Sequence, residues 1–158
     1  MKLGFNTVLF GNFDIEKAFV AAHEMEYDGV ELAAMGNAMS EHLDETIPVS
    51  DNAKKLKSLS KQFNLPFLSM ERARHDINSW EYLSQLANEI ECPIINIGPG
   101  GKMDENGVPI KEGAFDAAIE SIIKHCDIGK KYGVTTCFKA HYNTCIDNTD
   151  LCINAVIK

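Results

Sequence analysis

Short apolar segments begin near Leu3, Val30, Leu65, Ile94 and Val134, at intervals of 27, 35, 29 and 40 residues, and an amphipathic helical pattern fills each interval. No hairpin signal joins neighbouring segments, so none of them reads as a hairpin partner of the next. Strand, helix, strand without hairpins leaves right-handed βαβ crossovers and a parallel sheet. That alternation restricts the chain to an α/β fold of five units in one domain, residues 1–158.

The individual elements follow from side-chain period and capping chemistry. Leu3 to Leu9 reads as the first strand. Asp14 is placed to cap a helix whose stripe is Ile15, Ala18, Phe19 and Ala22. After the turn at Tyr27-Asp28-Gly29, Val30 to Ala34 forms the second strand, and Met35 to Pro48 forms a long loop or a loop with a short helix. Ser50 is expected to cap the next helix, with Ala53, Leu56, Ser60 and Phe63 on one face. Asn64 and Pro66 end it, and Leu65 to Met70 is the third strand. Glu71 to Asn78 is then a polar loop, and Trp80, Leu83, Leu86, Ala87 and Ile90 mark a helix that stops before Pro93. The nearly all-apolar Ile94 to Ile97 is the fourth strand, leading into Gly98-Pro99-Gly100-Gly101 and a polar loop to about Gly113. Phe115, Ala118, Ile119, Ile122 and Cys126 line another helix, Gly133 stops it, and Val134 to Phe138 is the fifth strand. Asn148 or Thr149 caps a last helix through Leu151, Ala155 and Val156.

Ligands of parallel α/β proteins bind at the carboxyl ends of the strands. There the sequence offers Lys139 and His141, two residues apart and expected to face the same way. Lys139 reads either as an amine of lowered pKa, acting as a base or Schiff-base former, or as an exposed lysine paired with an acid. His141 can titrate near neutrality and transfer protons, or sit hydrogen-bonded in a loop. Glu31 points opposite to Val30 and Leu32 and must find a partner in either the sheet interior or the helix layer. Asn6 can bond a hydroxyl or cap a turn. Gly98 and Gly100 allow close backbone approach to a phosphate or hydroxyl, or simply make a wide turn. Arg72, Arg74 and His75 form a charge run that could meet an anion or lie solvated.

Composition narrows the partners. A net charge of −8 argues against an extended nucleic-acid footprint. No basic-then-apolar leader and no apolar run approaching ~18 residues is present, which leads to the expectation of a soluble cytoplasmic protein. The five cysteines are odd in number and lack a C-x-x-C pair, so reduced, mostly buried thiols are expected.

By period alone, five βα units in 158 residues fit a doubly wound, flavodoxin-like open sheet. The sequence details favour another architecture. The run from Asp14 to Leu32 (DIEKAFVAAHEMEYDGVEL), the segment Asn64 to Ser69 (NLPFLS), Leu86 to Gly101 (LANEIECPIINIGPGG) and Gly133 to His141 (GVTTCFKAH) resemble, in order, parts of the sugar-phosphate isomerase/epimerase family, the xylose isomerase-like TIM barrels. The resemblance implies five βα units of a (β/α)8 barrel, truncated at the C-terminus or closed by a homo-oligomer. It implies a small sugar or sugar phosphate as partner and proton transfer next to a sugar carbonyl, normally assisted by Mn or Mg. It places Glu31 near the active site and puts Lys139 where the family has a metal-binding glutamate. An ammonium has no lone pair, so a family-type metal site is doubtful here. The alternatives are a catalytically impaired relative that only binds or oligomerises, and an abasic-site endonuclease-like hydrolase.

Overall fold

The computed structural model describes residues 1–35, 39–72, 74–100, 113–142 and 144–157. Five parallel strands form one sheet: β1 (Gly4–Asn6), β2 (Gly29–Ala33), β3 (Phe67–Arg72), β4 (Ile94–Ile97) and β5 (Thr135–Phe138). Their spatial order is their chain order, β1-β2-β3-β4-β5. Sequential order means every crossover turns the same way and every helix lands on one face. The doubly wound alternative requires a reversal of strand order and is excluded by this topology. The sheet is that of a partial (β/α)8 barrel.

The helices α1 (Ile15–Glu24), α2 (Val49–Phe63), α3 (Ile77–Glu89) and α4 (Ala114–Lys131) pack each on the next, α1 on α2, α2 on α3 and α3 on α4. Their apolar stripes meet Val30, Leu32, Met70, Ile95 and Ile97 of the strands in one continuous core. Trp80, Phe19, Leu83 and Leu86 are fully enclosed in it. Helix α5 (Thr149–Ile157) follows β5 and buries no residue fully. No helix among the described residues is long and apolar enough to cross a membrane.

Capping explains most boundaries. The Asp14 carboxylate accepts the Glu16 N–H at 3.0 Å, Asn148 accepts from Leu151 at 3.0 Å, and Asn64 and Gly133 take the left-handed conformation at φ 55° and 70°. Three departures from the sequence reading bear on the site or its frame. The first strand stops at Asn6, because the Asn6 side chain accepts the Val8 N–H at 2.9 Å and starts a 3-10 turn over Thr7–Phe10. Helix α2 begins two residues early, after Pro48, so Ser50 lies inside its first turn and makes no cap. Strand β3 runs on through Glu71 and Arg72, which are buried rather than in a polar loop. The polar loop expected from Gly101 to Gly113 lies, save for Gly113, outside the described residues, as does part of the Met35 to Pro48 loop.

Candidate functional site

Alternation along the strands sorts the side chains. Buried Val30, Leu32, Met70, Ile95 and Ile97 go to the hydrophobic core, and the residues between them, Glu31, Ser69, Glu71 and Asn96, go to the opposite face. Register then stacks that second set side by side. Asn6 pairs with Glu31, Glu31 with Ser69, Glu71 with Asn96, and Asn96 with Cys137. A register shift between Val30 and Glu31 sets Glu31 beside Ser69, one residue further along β3 than a regular ladder allows. Lys139 extends the ladder one step past β5 through its N–H to the Ile97 carbonyl, 2.8 Å away. It therefore shares the face of Cys137 and Asn96.

The result is a cluster to which all five strands contribute. Glu31 accepts three bonds: from Asn6 Nδ2 at 2.6 Å, Ser69 Oγ at 2.8 Å and Asn96 Nδ2 at 2.6 Å. Glu71, with 7% of its surface exposed, accepts from Asn6 Nδ2 at 2.6 Å and from the Lys139 ammonium, its ion-pair partner. One Asn6 amide thus bridges two carboxylates. Its orientation is fixed because its oxygen already takes the Val8 N–H. Two carboxylates, two amides, a hydroxyl and an ammonium at one end of a parallel sheet can bind a compound bearing several hydroxyls and a carbonyl, and can move protons within it.

Of the residues singled out in the sequence, the structure brings Glu31, Asn6 and Lys139 together here. Lys139 is the lysine paired with an acid. His141 is not among them. The chain leaves the ladder after Lys139, so the two-residue alternation lapses, and His141 is exposed with its N–H on the Ile146 carbonyl and its ring near the Tyr142 carbonyl. Glu71 was missed by sequence reasoning. The signal for it was the continued alternation of Ser69, Met70, Glu71 and Arg72 past the last apolar residue. Arg72 is buried in a different role: its guanidinium holds the Ala34 carbonyl at 2.7 Å, Ser79 at 2.9 Å and the Glu45 carboxylate, tying the β2–α2 loop to β3.

His75, Gly98 and Gly100 assemble elsewhere. His75 Nε2 lies 2.7 Å from the Gly98 carbonyl, which fixes it as the protonated nitrogen, and Nδ1 accepts from the Ser121 hydroxyl at 2.7 Å. Gly100 has φ 67°, and a Cβ there would come within 2.5 Å of the His75 ring, so this turn packs flat on the imidazole. Burial lowers the His75 pKa; the Gly98 hydrogen bond opposes the shift and the neighbouring His125 adds to it. A cleft of about 290 Å³ beside it is lined by Ser121, His125, Glu120 and Lys124 among others. The cysteines are all free; Cys92 is buried, with its thiol pKa pushed up to about 12 by burial, and the other four are partly buried.

The donor set does not suit a divalent cation. Among the described residues no group of three or more His, Cys, Asp or Glu side chains gathers as a metal would need. The two carboxylates that do converge already accept bonds from amides, a hydroxyl and an ammonium.

No family model and no curated protein matches the sequence. Solved structures do match the fold. A xylose isomerase-like TIM barrel protein from Mycobacterium smegmatis, in complex with magnesium, superposes with a TM-score of 0.76 at 15% identity, over 99% of this chain and 60% of that one. The IolI protein with a bound zinc atom gives 0.69 at 16% identity, over 99% and 58%. A D-allulose 3-epimerase from Methylomonas sp. in complex with D-allulose gives 0.68 at 14% identity, over 99% and 58%. The chain spans about three-fifths of the length of these structures, and its fold is that of a partial (β/α)8 TIM barrel.

Proposed function

We propose that the chain acts on a small sugar or sugar phosphate, shifting a proton next to its carbonyl as an isomerase or epimerase does. The convergence of Glu31, Glu71, Asn6, Asn96, Ser69 and Lys139 at the carboxyl ends of the five strands carries this reading. In the step envisaged, a carboxylate removes the proton α to the carbonyl, the electron pair of the C–H bond becomes the new C=C bond, and the carbonyl oxygen takes the negative charge. The Lys139 ammonium donates to that oxygen, and the protonated carboxyl, after exchanging its proton with solvent, returns one to a carbon of the enediolate. Glu71 is assigned as the base because it lies against the Lys139 ammonium that meets the carbonyl oxygen. Asn6, Asn96 and Ser69 hold the carboxylates and meet hydroxyl groups. The solved neighbours include a sugar epimerase bound to D-allulose, which supports the substrate class.

Incubation with a panel of ketoses and aldoses in D₂O, read by NMR, tests the reading. Deuterium should enter at the carbon next to the carbonyl of at least one sugar, and E71Q should abolish it. Absence of exchange with every sugar removes the enzymatic claim. Sugar binding without turnover is the second reading, favoured by the ammonium standing where the resemblance expects a carboxylate. It requires saturable binding with no exchange.

A further inference from the structure

Two carboxylates converging at strand ends carry the charge that a divalent cation would neutralise, and here part of that charge is met from within the chain. A carboxylate has about four acceptor positions. Glu31 has three of them occupied by neutral donors. Glu71 is held by Asn6 on one oxygen and by the ammonium on the other. A hard divalent ion needs several oxygens at about 2.0–2.6 Å, and to reach Glu71 it must displace an ammonium tethered by its own backbone to Ile97. Left in place, that ammonium repels it. The Lys139 side chain is 52% exposed, whereas that of Glu71 is 9% exposed. The cation therefore meets the solvent side and the anion lies beneath it. An ammonium has three donors, and Glu71 takes one of them.

We propose that Lys139 is a built-in replacement for the divalent cation, neutralising Glu71 from one side and offering its remaining N–H donors to a ligand oxygen from the other. The cluster is thereby independent of metal. This deepens the sugar reading and rests on it only for the identity of the ligand oxygen; the charge replacement stands on the ion pair itself.

The test titrates the wild-type chain, K139R and K139M with Mn²⁺ by calorimetry, and follows thermal unfolding by circular dichroism with and without Mn²⁺. Wild type and K139R, which keep the charge, should show no binding tighter than about 1 mM and no shift in Tm. K139M should melt lower than wild type, bind Mn²⁺ at least tenfold more tightly and regain its Tm with the ion. Should K139M fail to fold, K139E takes its place; it supplies a third carboxylate and must gain Mn²⁺ binding in the same way. Equal Mn²⁺ affinity in wild type and the charge-removing variant overturns the proposal, as does a folded variant that gains none. The sugar panel, run on EDTA-treated wild type, separates the two claims. Exchange that survives EDTA supports both. Exchange that EDTA abolishes and Mn²⁺ restores overturns the replacement while keeping the sugar chemistry. No exchange, with the cation results as expected, removes the sugar chemistry and keeps the replacement.

Discussion

Two polar clusters lie within this fold and they solve the burial of polar atoms differently. At the strand ends, Glu31, Glu71, Asn6, Asn96, Ser69 and Lys139 bond one another across all five strands, and each carboxylate has at least two donors. Between α3 and α4, Trp80, His125, His75 and Ser121 form a neutral set held as much by ring packing as by hydrogen bonds. Trp80 and His125 meet edge to face at 4.7 Å, and His125 and His75 at 5.2 Å. There, Trp80 Nε1, Ser84 Oγ and His125 Nε2 are buried with no partner among the described residues. Leaving a neutral donor unanswered costs about 1–3 kcal/mol, which burial of a large aromatic can offset. Leaving a carboxylate unanswered costs far more. The charged cluster is complete because incompleteness there is not survivable, and the neutral one is incomplete because packing dominates it.

Trp80→Ala should break the second cluster outright. The side chain is fully enclosed, and truncating a buried aromatic costs about 3–5 kcal/mol. Urea unfolding followed by far-UV circular dichroism measures it, since the variant loses the only tryptophan.

The first cluster should respond to single-atom changes instead, and unequally. Glu31→Gln puts an amide NH₂ against one of the three donors from Asn6, Ser69 and Asn96, so one buried donor is left facing another. A loss of about 1–3 kcal/mol in unfolding free energy follows. Glu71→Gln keeps an oxygen for Asn6 and gives up only the pairing with a half-exposed lysine, worth less than about 1 kcal/mol. On the proposed reading its effect falls on turnover: sugar exchange should drop about 10²-fold or more with an almost unchanged Tm. Equal destabilisation by both variants would contradict the assigned division between a scaffolding and a reacting carboxylate.

The frame of this fold was open to sequence reasoning because helix and strand periods are local. The fourth strand, Ile94–Ile97, coincides with its apolar run, and Asn64 and Gly133 stop their helices in the left-handed conformation expected of them. The site was legible only in part. Glu31 was visible as an acid between Val30 and Leu32, and Lys139 as a cation at a strand end. Glu71 was hidden because a strand read by hydrophobicity ends at Met70. Its partners Asn6 and Lys139 are 65 and 68 residues away in the chain, so what makes a buried carboxylate tolerable there is wholly non-local. Likewise the alternation that aligned Lys139 with His141 presumed a strand, and whether the ladder continues past Lys139 is decided by what lies beside it.

Acid should distinguish the clusters further. Burial holds the His75 pKa below its ordinary value of 6.5, so the folded state binds this proton less readily than the unfolded state. The stability it contributes is complete above about pH 6.5 and is lost as the pH falls toward the lowered folded value. The urea midpoint should therefore decline between about pH 7 and pH 5, and His75→Gln should flatten that decline. An unchanged slope in the variant would place the acid sensitivity in other groups.

The smallest change is the most discriminating, because its sign is opposite to the others. Ser84 is fully enclosed in α3 and its hydroxyl has no partner among the described residues. Ser84→Ala removes one buried, unanswered polar atom without creating a large void, and alanine is the better helix former. Unfolding free energy should stay level or rise, by up to about 1 kcal/mol. The corresponding removal of a hydroxyl in the charged cluster, Ser69→Ala, takes a donor from Glu31 and should lower it by a similar amount. Measured side by side in one buffer, the two serines compare burial that is answered with burial that is not. A destabilised Ser84→Ala would mean that its hydroxyl has a partner after all, and that the neutral cluster is as complete as the charged one.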